Sequence, residues 1–231
     1  MARTGAQIEQ DVLDILNRTE ASSVALTDLA VRSAHHKLQG LRDWNAQKIT
    51  YRRLSNVDYH FLYPSDFKSP VLLFRVTGTD LTSDLVPALP STTPIAEKVF
   101  WQRTSFEQVL FNRANLQAQI LGSNTQTTNE THESYSVNGL YIELATKVAD
   151  AANQFALVYY GMLDYPAGSD WFTDNCFGWL TLEACKWMLA ALGEIDPREA
   201  SWNRLQILEF NKCLGLDIAL DIGGDSLVMR G

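Results

Sequence analysis

The last third of the chain holds two apolar helical runs joined by only four residues, Gly193 to Asp196, and that spacing leaves few ways to fold it. Two helices on so short a linker pack as antiparallel neighbours. The first run is capped at Thr173 and sets Phe177, Leu180, Ala184, Trp187, Met188 and Ala191 on one face, with Gly193 where a C′ glycine belongs. Asp196-Pro197-Arg198-Glu199 then restarts a helix, with Asp as N-cap, Pro at N1 and Glu at N3. Trp202, Leu205 and Leu208 carry that helix to Leu214. Trp179 and Trp187 stand eight apart in the first run, beside Phe172, Phe177 and Met188. So much apolar surface around one helix predicts burial on two sides, against its own domain and against a neighbour.

The rest of the chain alternates between helical and strand periods. Thr4 and Gln7 have capping-box spacing for a helix to Arg18, with Ile8, Val12, Ile15 and Leu16 on one face. A second helix is expected from an N-cap at Thr27 to Asn45, carrying Val31, Leu38, Leu41 and Trp44. Lys48–Leu54 and Val57–Tyr63 then read as strands of a hairpin turning at Ser55-Asn56, and Pro70–Val76 as a further strand. Residues 78–94 are a Pro/Ser/Thr-rich loop. Glu97–Gln102 is a strand, and Ser105 with Gln108 opens a helix to Ile120. A polar loop over 121–133 precedes Asn138-Gly139, the strongest hairpin signal in the chain, and Phe155–Tyr160 is the last strand.

This order predicts an α+β fold: a helical bundle core from both termini plus a central helix, with an inserted antiparallel β-region and an extended C-terminal arm. The expected divisions are 1–47, 104–121 and 169–215 for the helical core, 48–103 and 122–168 for the β-rich insert, and 216–231 for the arm.

Catalytic patterns are sparse. No GxGxxG, Walker A, GxSxG, HExxH or EF-hand sequence occurs. His35 and His36 are adjacent in a helix and point about 100° apart, so one faces the core and the other solvent. His60 and His132 have no nucleophile at readable spacing. Cys176, Cys185 and Cys213 lack CxxC spacing and read as small buried hydrophobes. Asp217, Asp221 and Asp225 would align in a helix, but Gly223-Gly224 is expected to break it, leaving a solvated acidic face or an acidic surface in an assembly. The expectation is a non-enzyme without cofactor or metal. A formal charge of −8 with no basic run argues against sequence-specific DNA binding. No stretch is long and apolar enough to span a membrane, and the polar N-terminus lacks a signal-peptide run, so synthesis and retention in the cytoplasm are expected.

Five elements in order carry a resemblance. They are the N-terminal helix pair, Tyr59 with Tyr63-Pro64-Ser65-Asp66-Phe67, Asn138-Gly139-Leu140-Tyr141-Ile142, Leu157-Val158-Tyr159-Tyr160, and the turn Ser169-Asp170-Trp171-Phe172-Thr173 into a helix. Together, from about Gln7 to Leu214, the chain resembles the head-to-tail adaptor (connector, or neck) proteins of tailed bacteriophages. It departs from that pattern at Tyr63, where leucine is usual, and in the long polar loop over 122–133.

The resemblance implies a virion protein made in the bacterial cytoplasm, forming a ring of about twelve copies under the portal. It would join the DNA-filled head to the tail or a further neck protein, with the genome passing through the lumen without sequence-specific binding. The C-terminal segment would reach toward the portal. On that reading Trp179, Trp187, Leu216, Ile218, Leu220, Ile222, Leu227, Val228 and Met229 form partner interfaces, and Asp217, Asp221 and Asp225 face the channel. The competing readings are a phage tail-completion or tail-tube protein, a small cytoplasmic enzyme with its site in the β-insert, and a scaffold for a single host partner.

Overall fold

The computed structural model describes residues 3–54, 59–77, 98–121, 133–146, 153–166, 168–194 and 198–228. Its fold is mixed α+β. In chain order the elements are α1 (Gly5–Leu16), α2 (Ala21–Leu41), a 3-10 turn at Asn45–Gln47, β1 (Lys48–Leu54), β2 (His60–Leu62), β3 (Phe67–Thr77), β4 (Lys98–Arg103), α3 (Phe106–Leu121), β5 (Ser134–Asn138), β6 (Tyr141–Leu144), β7 (Asn153–Gly161), α4 (Trp171–Asn175), α5 (Phe177–Ala191) and α6 (Glu199–Val228). They fall into two compact units, Met1–Gln47 with Met162–Gly231, and Lys48–Gly161.

The helical unit closes around one apolar cluster. Ile8 and Val12 of α1, Val31 and Leu38 of α2, Trp44, and Phe172, Leu180, Cys185 and Met188 of α4 and α5 are all buried in it. Thr4 closes the capping box at the start of α1, and Asn17 ends that helix in the left-handed region at φ 53°. Thr27 does not cap α2, which starts six residues earlier. The buried Thr27 hydroxyl instead donates to the Ser23 carbonyl one turn back, at 2.7 Å. Thr173 does not cap α5 either. Asp170 is the N-cap of the short α4, and Thr173 is its N3 partner. The expected cap at Asp196-Pro197 lies outside the described residues.

The second unit is a seven-stranded sheet in the order β1-β7-β3-β4-β5-β6-β2. Two expectations are corrected there. β1 and β2 do not form a hairpin, because β1 pairs along its whole length with β7 while β2 pairs with β6. The sheet is not wholly antiparallel, because β4 and β5 run parallel through Gln102↔Ser134 and Arg103↔Tyr135. A parallel pair needs a crossover, and α3 supplies it. For that reason α3 packs on β5 and β6 and belongs to the sheet unit, not to the helical core. The Asn138-Gly139 signal forms the β5–β6 hairpin. Asn138 pairs with Tyr141, and the two-residue loop puts Gly139 at φ 59°, the sign a type II′ turn demands at its first central residue. Beneath the sheet Phe61, Leu73, Trp101, Tyr135, Ile142, Phe155 and Leu157 make one cluster. The loop expected over 78–94 lies outside the described residues, as does 122–132 of the loop expected over 121–133, whose first residue, Leu121, ends α3.

Candidate assembly surface

α5 and α6 lie antiparallel: Gly178 approaches Glu209, Glu183 bonds Gln206, and Lys186 Nζ reaches Asn203 Oδ1 (2.9 Å) and Gln206 Oε1 (3.0 Å). At Gly178 the approach is close enough that a Cβ would stand 2.6 Å from Glu209 Oε2, so glycine makes room for that side chain. Lys37 of α2 pairs with the same Glu183, tying three helices at one carboxylate. Burial alone would raise the Glu183 pKa. The hydrogen bonds from Lys37 and Gln206 and the charges of Lys37 and Lys186 outweigh it, and the carboxyl sits below the ordinary value.

α6 is held along one stripe. Trp202 and Cys213 are buried, Gln206 and Phe210 are half-buried between them, and Asp217 is fully buried at the end. The stripe follows i, i+4, i+8, i+11 and i+15. Asp217 takes the place that an apolar residue would fill. Its Oδ1 accepts from the Asn45 backbone N–H at 2.7 Å, its carbonyl accepts from Asn45 Nδ2 at 3.2 Å, and Arg42 stands 3.4 Å away. The carboxylate therefore caps the 3-10 turn after α2. It does not face a channel.

The segment from Leu216 is helical to Val228, so the expected extended arm is the end of α6. Gly223-Gly224 lies inside that helix and does not break it, since a glycine costs a helix only about 1 kcal/mol. Asp221, Asp225, Ile222, Leu227 and Val228 are helical in backbone, and Met229 lies outside the described residues.

On both sides of the buried stripe α6 exposes apolar side chains, interspersed with Asn203, Arg204, Asn211 and Lys212. Leu205, Leu208 and Leu216 lie on one flank, Ile207 and Ile218 on the other, each between 44 and 62% exposed. Leu220, 44% exposed, continues past Asp217. Of the two predicted interface tryptophans, Trp179 is buried in the helical core at 4% exposure and is not available to a partner. Trp187 is half-buried against that core.

Beside Leu205 the surface is concave. A cavity of about 380 Å³ opens between α1, α5 and α6, with Ile15, Phe177, Leu182 and Leu205 among its apolar lining. Its charges are tied down. Arg3 pairs with Asp11 and lies 4.6 Å over the Phe177 ring, Gln10 bonds Asp14 at 2.8 Å, and Lys212 pairs with Glu209. Its apolar walls can accept an apolar side chain.

Sequence reasoning missed three parts of this picture. They are the Asp217–Asn45 cap, the pairing of buried His35 with Asp170, and the Ile15–Phe177 wall. His35 is the core-facing member of its pair and His36 is exposed. Phe177 was read on the packed face of its helix, yet it is 38% exposed. Among the described residues no group of three or more His, Cys, Asp or Glu side chains is placed to hold a metal ion, and no helix is long and apolar enough to cross a membrane.

No protein-family model and no curated protein matches the chain.

Proposed function

We propose that this chain is a ring-forming structural subunit of a tailed-phage neck, a head-to-tail adaptor that docks under the portal and lines the exit path of the genome. The observation that carries the reading is α6. Between Leu205 and Leu220 this helix exposes apolar side chains on both sides of its buried stripe, which suits cover from more than its own domain. In a closed ring each copy meets two neighbours through two different surfaces, and two apolar flanks can supply both. The cavity walled by Ile15, Phe177 and Leu205 adds a socket beside one of them.

On this reading the helical unit is the bundle core of the ring. The end of α6, from Leu216 onward, is the portal-facing element, delivered as helix. A net charge of −8 suits a conduit that must release DNA. Virion residence follows from the same reading.

The tail-tube or tail-completion reading also gains support, from the seven-stranded sheet, which is more continuous than the sequence suggested. The two readings part on geometry. Mixing the chain with portal-bearing heads and imaging by electron microscopy should show rings stacked beneath the portal. Open-ended tubes formed by the chain alone would support the tail reading instead, and failure to dock on mature heads would remove the adaptor reading.

A further inference from the structure

The chain leaves the helical unit after Gln47 and re-enters it at Met162. One buried side chain, Gln39 of α2, holds the helical-side ends of both crossings. Its Oε1 accepts from the Leu163 backbone N–H at 2.6 Å and from Gln47 Nε2 at 3.0 Å. Its Nε2 donates to the Leu163 carbonyl at 2.9 Å and stands 2.9 Å from His35 Nδ1. The amide orientation is forced, because a backbone N–H can only donate and must meet the oxygen. Gln39 therefore presents a donor to His35, and Nδ1 of His35 must accept. His35 Nε2 lies 2.7 Å from Asp170 Oδ2 and carries the ring proton toward that carboxylate. That geometry fits a ring with its proton on Nε2 and a bare Nδ1.

We propose that His35, Gln39 and Asp170 form a proton-sensitive lock on the two chain crossings, closed while His35 is neutral and opened when Nδ1 takes a proton. A proton there sets N–H against N–H. Turning the Gln39 amide only moves the conflict to the Leu163 N–H. The other groups around the ring decide what yields. Asp170, at the cap of α4, attracts the added charge and stays bonded to Nε2. Tyr165, edge-on to the ring at 5.4 Å, has its hydroxyl 3.4 Å from Glu9 and Arg32 over its face at 5.1 Å, and Arg32 is paired with Asp28 at 2.7 Å. Phe172 is also edge-on to the ring, at 5.6 Å. With Asp170 held on Nε2, the conflict at Nδ1 falls on Gln39, and the bonds that give way are those of Gln39 to Leu163 and Gln47.

The test is nuclear magnetic resonance on the intact chain between about pH 8 and pH 4.5, spanning the range in which histidine titrates. Ring nitrogen shifts read the His35 state, and amide exchange, corrected for its intrinsic rate, reads the lock. The expected result is an Nε2–H tautomer at the upper end. Protection of the Leu163 amide should then fall by up to about tenfold per pH unit below the His35 midpoint, while the Leu180 amide of α5 stays protected. An Nδ1–H tautomer, a Leu163 amide indifferent to His35 titration, or joint loss of Leu163 and Leu180 protection would each overturn the proposal. His35→Gln preserves an acceptor and a donor without titrating, and should make Leu163 protection independent of pH. If that variant does not fold, Gln39→Glu replaces the opposing donor with an acceptor, so protonation of His35 should no longer lower Leu163 protection; a loss of protection with the unchanged pH dependence overturns the lock.

Discussion

Asp217 shows how a single residue can redirect a segment. Read as a charge, it belonged to a solvated or channel-facing acidic face. In the fold it is fully buried and satisfies the Asn45 N–H beside Arg42. Asp217→Ala should cost about 3 kcal/mol in denaturant unfolding, because it strands the Asn45 N–H and removes one partner of Arg42. A loss near zero would mean that the carboxylate is solvated after all.

Asp170 and Glu183 make a second prediction at the same scale. Burial raises the Asp170 pKa, but the hydrogen bonds from His35 and from Thr173, together with the His35 interaction, bring the net below the ordinary value, and Glu183 is also lowered. Both carboxylates bind protons less readily folded than unfolded. Their stabilisation is therefore full above the unfolded values of 3.8 and 4.5 and is lost as pH falls through the folded values. Thermal melts should show the helical unit weakening below about pH 4, and Asp170→Asn with Glu183→Gln should flatten that slope.

At the scale of elements, α6 separates holding from assembly. Its buried stripe keeps it on the bundle, and its flanks are spare. Ile207→Glu with Ile218→Glu should shift the melting temperature by no more than about 2 °C, as exposed substitutions do, while abolishing higher oligomers in sedimentation velocity. A large fall in melting temperature would place those residues in the fold instead. Truncation after Leu220 keeps Asp217, so the chain should stay folded while portal docking weakens. Normal head closure by the truncated chain would remove the portal-facing role of the helix end.

Elements also differ in how far local sequence defined them. The Asn138-Gly139 hairpin and the Thr4 cap were legible because their geometry is set within a few residues. The partner of β1 was not, because β7 lies about a hundred residues away and nothing at Ser55-Asn56 reveals the competition. α3 read like any amphipathic helix, and only the parallel β4–β5 pair assigns it to the sheet unit. The length of α6 was hidden by Asp217 and Gly223-Gly224, a carboxylate and a glycine pair that local propensity counts against a helix. The candidate surface was half visible: a helical hairpin apolar on two sides could be read, but the spare faces lie mainly on the second helix, not at Trp179.

For the whole molecule, copy number is the decisive quantity. A subunit with two unlike apolar flanks should close into a ring, so it should bind a portal in many copies and not in one. An enzyme or a scaffold for a single partner has no such requirement. Native mass spectrometry of the chain bound to its portal is the most direct test. A single stoichiometry is expected, with mass added in one large multiple of 25.9 kDa and no partial occupancies. Addition of single 25.9 kDa steps, or no addition at all, would contradict it.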